Sequence, residues 1–460
     1  MEQAQSFKEH IDSIIAGQRS FFAGGATRDI RFRQEQLRHL KSAVSRFERR
    51  ITDALWTDLH KSPEESWLTE ISLVLQEINL HIRRLPRWAK PQRTPSPRSL
   101  WPSKSTVIHE PLGNALIVAP WNYPFQLLFN PLVGAISSGC CAILKSSPYV
   151  PTVAAVMEEL IAETFPANYI SLVNGHREVN QYLFEQKFDI IFFTGSPDMG
   201  KVVMRAAAEH LTPVVLELGG KSPCIVDKTA DLDLAARRIA WGKSLNAGQT
   251  CVAPDYLFIH ADHEAVFCEK YGKAIERMFG NNPQESPCFP HIVSDRAMQR
   301  LQALLRHGSI IMGGRTASDE RYIAPTLLAG TPPDSPAMQT EIFGPIMPVI
   351  PFRDIAEVIS HINSNPKPLA LYYFGDSKTA GQVLAKVSSG GACINDTILH
   401  VANHRLPFGG VGASGMGKYH GKDSFLAFTN RRAVVKSPTL FDLPFRYPPF
   451  RYFSTVKRIV

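Results

Sequence analysis

An α/β fold in two parts is what this sequence predicts, and three observations predict it. From Thr106 onward, short apolar runs alternate with amphipathic helical patterns in the strand–helix–strand rhythm of a parallel sheet. The rhythm breaks near Pro213–Gly220 and then resumes, so one sheet is followed by another. The 460-residue chain is 44% apolar and 20% charged, enough to bury a large core, which excludes a disordered or fibrous protein. That length allows one large domain or two to three ordinary ones.

Before Pro86 the chain predicts long amphipathic helices, with Phe32, Leu37, Leu40, Val44 and Phe47 at three- and four-residue steps. Pro86–Pro102 carries five prolines, which forbid a regular helix and predict an extended linker or a surface ribbon. The first sheet reads as NALIVAP, a helix over Phe125–Ser138, CAILK, a helix over Val153–Thr164, YISLV, a helix over Val179–Glu185, and DIIFFTGS. The second reads as a helix over Leu232–Asn246, YLFIH, a helix over Glu264–Phe279, VIPF, a helix over Ile355–Ile362, ALYYF, a helix over Thr379–Val387, and ACIN. Leu127–Leu144 is long enough for a bilayer crossing, but Asn130, Pro131, Gly134 and Gly139 interrupt it. A buried helix running into a buried strand accounts for it better, and no transmembrane span is expected. No fixed short repeat is present.

Charge and cysteine usage narrow the function classes. Fifty Lys and Arg stand against 42 Asp and Glu, for a net charge of +8, gathered in Arg28–Arg50, Arg83–Lys104 and Arg431–Arg458. No nucleic-acid module accompanies these basic runs, so they read as solvated helix faces and no nucleic-acid partner is expected. Seven cysteines without a CxxC spacing predict neither a disulfide framework nor a zinc site, and no metal is expected. The start, MEQAQSFKEHIDSII, has early acids and no apolar run behind a basic head, so it is not read as a signal peptide. Cytoplasmic residence follows as the expectation.

Glycine patterns need sorting. Gly195–Lys201, GSPDMGK, follows the strand DIIFF and opens a helix, where backbone N–H groups can cradle a phosphate. Val202 stands where a P-loop needs Ser or Thr for magnesium, so a P-loop is rejected. GASGMGK at Gly412–Lys418 fails the same test at Tyr419, and the overlapping G-x-G-x-x-G of Gly410–Gly415 has no strand before it. That stretch, LPFGGVGASGMGK, reads as tight turns with several positive φ angles lining a pocket.

Three segments carry chemistry. VVLELGGKSP ends a strand at Glu217, immediately before Gly219 and Gly220; NAGQTCVAPDY sets Cys251 among small residues; APWNYPF holds Asn122 between two prolines. A nucleophilic cysteine needs thiolate character, access and donors for an oxyanion. Each residue alone has an ordinary reading: a packed thiol, a solvated strand-end acid, a turn former. Their conjunction is what points to a site.

APWNYPF, FFTGSPDMGK, LELGGKSP, GQTCVAPDY, EIFGP and LPFGGVGASGMGKYHGK, in this order and spacing, resemble the aldehyde dehydrogenase superfamily. KPLALY, SGGACIND, KYHGKDSF and RYPP are similar to its class 3 branch of fatty and aromatic aldehyde oxidisers. The resemblance runs from about Ile108 to Pro449 and implies a Rossmann-type cofactor domain, an α/β catalytic domain and a small bridging β element that pairs subunits. Residues 1–216 would form the NAD(P)-binding domain with its helical N-terminus and 217–425 the catalytic domain. Segments 98–110 and 429–437 would bridge, with 438–460 as a tail and Arg98–Glu110 and Arg432–Lys436 joining a homodimer.

By this resemblance Cys251 is the nucleophile, Asn122 and the Cys251 backbone N–H hold the oxyanion, and Glu217 is the base that activates water. Glu341, on the nicotinamide ribose, is a rival base, and Glu217 ranks first. Phe343 would line the nicotinamide, Pro120 and Trp121 the neighbouring pyrophosphate, Lys145 the adenine ribose, and Gly195, Ser196 and Gly200 the phosphate turn. The substrate funnel would be Tyr123, Trp241, Thr397, Ile398, His400 and Phe408, which suits medium-chain aliphatic or benzaldehyde-like substrates.

Two departures stand out. Relatives that favour NAD read K-P-S-E, whereas this chain reads Lys145-Ser146-Ser147-Pro148. Losing that glutamate removes the charge that repels the 2′-phosphate, so the cofactor is expected to be NAD or NADP, with dual use or an NADP leaning. Pro197 replaces the threonine of the phosphate turn, at a helix position that tolerates proline. The expected activity is oxidation of aldehydes to acids through a thiohemiacetal and thioester. The alternatives are a CoA-acylating relative, disfavoured because Glu217 is needed only when water is the acceptor, and a non-catalytic relative. The basic, aromatic tail RYPPFRYFSTVKRIV predicts at most weak peripheral contact with an anionic membrane.

Overall fold

The computed structural model describes the chain except residues 1, 98, 99, 441, 443–445, 451, 455, 456 and 458–460, and the side chains of 2–6. The expectation for Arg98, and part of that for the tail, therefore lies outside the described residues.

Helices Glu2–Ala23 and Ile30–Leu59 open the chain, and a third helical run follows from Pro63 to Trp88 with a wider π turn at Trp67–Ile71. Asp29 caps the second by accepting the Arg31 N–H at 2.9 Å. The expected stripe Leu37, Leu40, Val44, Phe47 is buried, while Phe32 at its start is only partly so, and the helix packs on Pro124–Ser138 and Pro151–Thr164. Pro86 does not end the third run, contrary to the sequence reading. It lacks the N–H that the Ile82 carbonyl would accept, and Gln34 Nε2 donates to that carbonyl instead, at 2.7 Å. Beyond Trp88 the proline-rich stretch is a surface ribbon. Gln92–Thr94 pairs antiparallel with Lys104–Pro111, which pairs with Thr429–Lys436 to make a three-stranded sheet.

Two parallel sheets follow. In the six-stranded one, Asn114–Val118 lies at the centre, Cys141–Lys145 and Ile170–Val173 extend to one side, and Ile190–Gly195 and Val214–Leu218 to the other. Gly415–Met416 adds a short antiparallel edge. The chain reverses direction of travel beside Asn114–Val118, so the carboxyl ends of that strand and of Ile190–Gly195 flank the crevice where such sheets bind ligands. In the seven-stranded sheet the order is Ser309–Met312, Thr326–Ala329, Ile346–Phe352, Tyr256–His260, Pro223–Val226, Ala370–Phe374 and Gly391–Ile394, parallel except for the first.

Pro124–Ser138 is buried along its whole length and runs into the buried strand Cys141–Lys145, as expected for the segment first weighed as a span. Among the described residues no helix is long and apolar enough to cross a membrane. Val214–Leu218 lies wholly in the six-stranded sheet, so a boundary between 216 and 217 passes through a strand. The helix predicted over Leu232–Asn246 stops at Ser244, because Asn246 and Ala247 adopt left-handed φ of 49° and 51° and Gly248 follows at 73°.

Candidate active site

The site forms where the two sheets meet. Strand Asn114–Val118 delivers the turn Pro120-Trp121-Asn122, and helix Pro124–Ser138 starts immediately after it with Pro124 in its first turn. Glu217 sits between Thr194 on the neighbouring parallel strand and Gly415 on the short antiparallel one. The left-handed turn ending at Gly248 presents Cys251 from the other side. One cavity of about 230 Å³ is walled by Asn122, Glu217, Cys251 and Glu341 together.

Glu217 is 3% exposed, and neither carboxyl oxygen has a hydrogen-bond partner among the described residues. Burial holds its pKa well above the usual carboxylate range, and the Lys418 ammonium is the one group that pulls it down. The glycine-rich stretch accounts for the close fit. Gly409, at φ 153°, packs so that an added Cβ would lie 2.7 Å from Glu217 Oε1. Gly412, Gly415 and Gly417 of the same stretch also have positive φ, as the turn reading expected.

Cys251 is half-buried and unbridged. Burial first, and then the charges of Glu341 and Glu217, push its thiol up, so proton removal needs an acceptor in the same cavity. Asn122 Nδ2 donates to the Gln249 carbonyl at 3.1 Å. A side-chain amide has two N–H groups, so one remains for a ligand. Tyr123 is buried beside it with its hydroxyl 2.7 Å from Thr250 Oγ1.

Glu341 is raised to about 8, by burial and then by Asp255, against the Gly220 N–H, Lys221 and Arg300. A Cβ at Gly219 would overlap its carboxyl oxygen, which explains the first glycine after Leu218. Phe343 takes a strained φ of 50° and meets Trp121 edge to face at 5.5 Å.

The expected cofactor positions fit a dinucleotide. Ser196 caps helix Pro197–Ala208 by accepting the Met199 N–H at 3.4 Å, with Pro197 at the first helical position, so the turn forms without its threonine. Pro120, Trp121, Gly195, Ser196 and Phe343 line the same cavity as the nucleophile. A Cβ at Gly200 would lie 2.8 Å from Leu218 Cδ2, so glycine there lets the helix approach the strand. A second cavity of about 190 Å³ lies between Ser146-Ser147-Pro148 and Asn174-Gly175-His176. Beside it Lys145 is 1% exposed, lowered to about 8 by burial, and donates to the Ser146 carbonyl at 2.6 Å.

The substrate candidates divide. Phe408 lines the main cavity and Trp241 is 36% exposed. Thr397 is fully buried with its hydroxyl donating to the Arg238 carbonyl, and Ile398 is partly buried at φ 62°. His400 is turned to Cys393, Nδ1 to Sγ 3.3 Å, and burial lowers its pKa to about 4. Of the six expected substrate residues Phe408 alone is on the cavity wall; Tyr123, Trp241, Thr397, Ile398 and His400 are not. Sequence reasoning missed Tyr419, which lines the cavity and bridges to Phe408. It also missed the buried Lys61, Glu70, Asn246 and Gln249 behind Asn122. Tyr419 was legible as part of the glycine-rich motif. The buried charges carried no local signal. Among the described residues no cluster of three or more His, Cys, Asp or Glu is arranged to hold a metal.

Residues 1–434 match the model of the aldehyde dehydrogenase family. The chain is 46% identical over 444 residues to the 4,4'-diaponeurosporen-aldehyde dehydrogenase of Staphylococcus aureus, covering 96% of this chain and 97% of that protein. It is 42% identical over 442 residues to an aldehyde dehydrogenase of Rattus norvegicus described as dimeric and NADP-preferring, covering 95% and 98%. Its fold superposes with a TM-score of 0.96 on the substrate-bound state of Staphylococcus aureus AldH, at 44% identity and covering 98% and 99% of the two chains.

Proposed function

The chain belongs to the aldehyde dehydrogenase family, in its class 3 branch, and we propose that Cys251, Glu217 and Asn122 carry out its oxidation of aldehydes to carboxylic acids. Aldehyde, water and oxidised NAD or NADP become carboxylic acid, reduced cofactor and a proton. The observation that supports the assignment is the single cavity enclosing one thiol, one carboxamide and one unpartnered buried carboxyl.

Glu217, as carboxylate, takes the Cys251 proton, and the thiolate sulfur bonds to the aldehyde carbon. The free Asn122 N–H and the Cys251 backbone N–H receive the oxyanion of this thiohemiacetal. A nicotinamide held in this cavity would supply the acceptor for the hydride on that carbon, whose departure would leave a thioester on Cys251. Glu217 releases that proton to solvent and, again a carboxylate, takes one from water, whose oxygen attacks the thioester carbon; the carbon–sulfur bond breaks, the acid departs, and Glu217 returns its proton to the sulfur to restore the thiol. A raised carboxyl pKa suits this base, because its proton affinity is matched to neutral pH. It also disfavours a CoA acceptor, which would leave Glu217 without its hydrolytic task.

Glu341 would hold the nicotinamide ribose and Phe343 the ring, with Pro120 and Trp121 beside the pyrophosphate. Ser196 with the start of helix Pro197–Ala208 would hold the pyrophosphate, and Lys145 with the Ser147-Pro148 and His176 walls the adenine ribose. With Pro148 where a glutamate would repel a 2′-phosphate, NADP is accepted, and the name of the rat relative supports that leaning. Aliphatic or aromatic aldehydes suit a wall that includes Leu127, Leu369, Phe408 and Tyr419, and a relative is named 4,4'-diaponeurosporen-aldehyde dehydrogenase. A homodimer through the ribbon strands Lys104–Pro111 and Thr429–Lys436, and cytoplasmic residence with seven free thiols, complete the reading.

The test is reduced-nicotinamide absorbance with hexanal and benzaldehyde, NAD and NADP in parallel. Wild type should reduce cofactor without CoA, and Cys251→Ala should lose roughly a thousandfold or more of that rate. Activity that requires CoA would replace hydrolysis by acyl transfer.

A further inference from the structure

We propose that the buried Lys61–Glu70 pair is a positioning device for the oxyanion donor, fixing the main chain on both sides of Asn122 so that its carboxamide is aimed before substrate arrives. The inference rests on the reading of Asn122 as that donor.

Both side chains are wholly buried, and Lys61 Nζ donates to Glu70 Oε1 at 2.6 Å. An ion pair taken out of water seldom repays its desolvation in stability, so a fully buried one asks for another use. Its remaining bonds supply one. Lys61 Nζ also donates to the Asn122 carbonyl at 3.1 Å and lies 4.2 Å from the centre of the Tyr123 ring. Glu70 Oε2 accepts the Phe125 and Gln126 N–H groups at 2.8 and 3.2 Å. Those are among the first N–H groups of helix Pro124–Ser138, which have no carbonyl within the helix to bond, and a carboxylate there also complements the helix dipole. The pair therefore holds the carbonyl leaving Asn122 and the helix start three residues later.

The same carbonyl accepts a second donor, Asn246 Nδ2, at 2.9 Å, and that amide also donates to the Gln249 carbonyl at 3.2 Å. Gln249 O is the acceptor of Asn122 Nδ2 itself. Glu65 closes the circuit by accepting the Asn246 N–H at 2.7 Å. From the N-terminal segment, Glu65 thus bonds the turn that leads to the nucleophile, and Lys61 and Glu70 bond the main chain at and after Asn122. Oxyanion donors contribute in proportion to how well they are already placed, so slack here is read in the rate of the first chemical step.

A double-mutant cycle tests this, with wild type, Lys61→Met, Asn122→Ala and the double variant. The rate of the first-turnover burst of reduced nicotinamide is measured at saturating hexanal and NADP, with KM and thermal midpoint for each. Lys61→Met should slow the burst about tenfold or more with little change in KM, yet slow it less than about twofold once Asn122 is already alanine. Glu70→Gln keeps an oxygen for Phe125 and Gln126 but weakens the hold on Lys61, so it should give the same coupling with a smaller loss. It carries the test if Lys61→Met does not fold. Equal losses in both backgrounds would mean that the pair serves stability alone and would overturn the inference while leaving Asn122 in its role. A burst unaffected by Asn122→Ala would overturn that role and the inference with it.

Discussion

Glu217 must be ionised to work, yet it sits where burial favours its neutral form. A carboxyl buried without a partner keeps its proton to higher pH than an ordinary glutamate, yet both of its tasks need the carboxylate. Turnover should therefore rise with pH on the acid limb, with a midpoint above the usual carboxylate range, and a pH–kcat profile checks it. Glu341 makes a different prediction. Its folded pKa is about 8 against an ordinary 4.5, so the folded state binds a proton that the unfolded state has already lost. Its stabilising contribution is complete below 4.5 and disappears as pH rises through 8, a slope worth at most a few kcal/mol at about 1.4 kcal/mol per unit. Glu341→Gln should flatten the fall of thermal midpoint between pH 5 and 8 by that share. Residues inside long motifs, such as Cys251, Glu217 and Asn122, were legible because chemistry needs them beside turns and strand ends. Lys61 and Glu70 were not, since Lys61 lies in the link after Leu59 and Glu70 in the π turn, and the Asn122–Gln126 groups they hold are more than fifty residues along the chain.

Among the elements, the turn Leu245–Gly248 decides where the nucleophile stands. The sequence reads Leu245 and Asn246 as the end of a helix, whereas Asn246 and Ala247 go left-handed, with Asn246 donating its N–H to Glu65 and its Nδ2 to the Asn122 carbonyl. Gly248→Ala would set a Cβ against the Gly344 carbonyl at φ 73°, and should cost about 2–4 kcal/mol of stability, measured by denaturant unfolding, with kcat falling alongside. The loop after strand Cys141–Lys145 governs cofactor choice by the same local logic. Pro148→Glu should restore the repulsion of a 2′-phosphate and raise KM for NADP about tenfold or more relative to NAD, read from parallel kinetics with both cofactors. Strand and helix periodicity made most of these elements legible in advance. Among the exceptions, Pro86 stays helical because Gln34 supplies the missing donor, and Pro223–Val226, Ser309–Met312 and Thr326–Ala329 are strands absent from the sequence reading.

For the whole molecule, two parallel sheets place the carboxyl ends of Asn114–Val118 and Ile190–Gly195 opposite the turn carrying Cys251, and the N-terminal helices brace that junction from behind. The three-stranded ribbon leaves Thr429–Lys436 as an edge, mostly exposed, and sedimentation should give twice the mass of one chain. The most direct test of the central claim is a rapid-mixing burst of reduced nicotinamide with hexanal for wild type, Cys251→Ala, Glu217→Gln and Glu341→Gln. Continuing turnover is predicted in wild type, no burst in Cys251→Ala, and in Glu217→Gln a burst slowed by loss of the thiol's proton acceptor that stops at no more than about one equivalent per site, at the thioester. Sustained turnover in Cys251→Ala, or arrest in Glu341→Gln while Glu217→Gln runs at the wild-type rate, would contradict it.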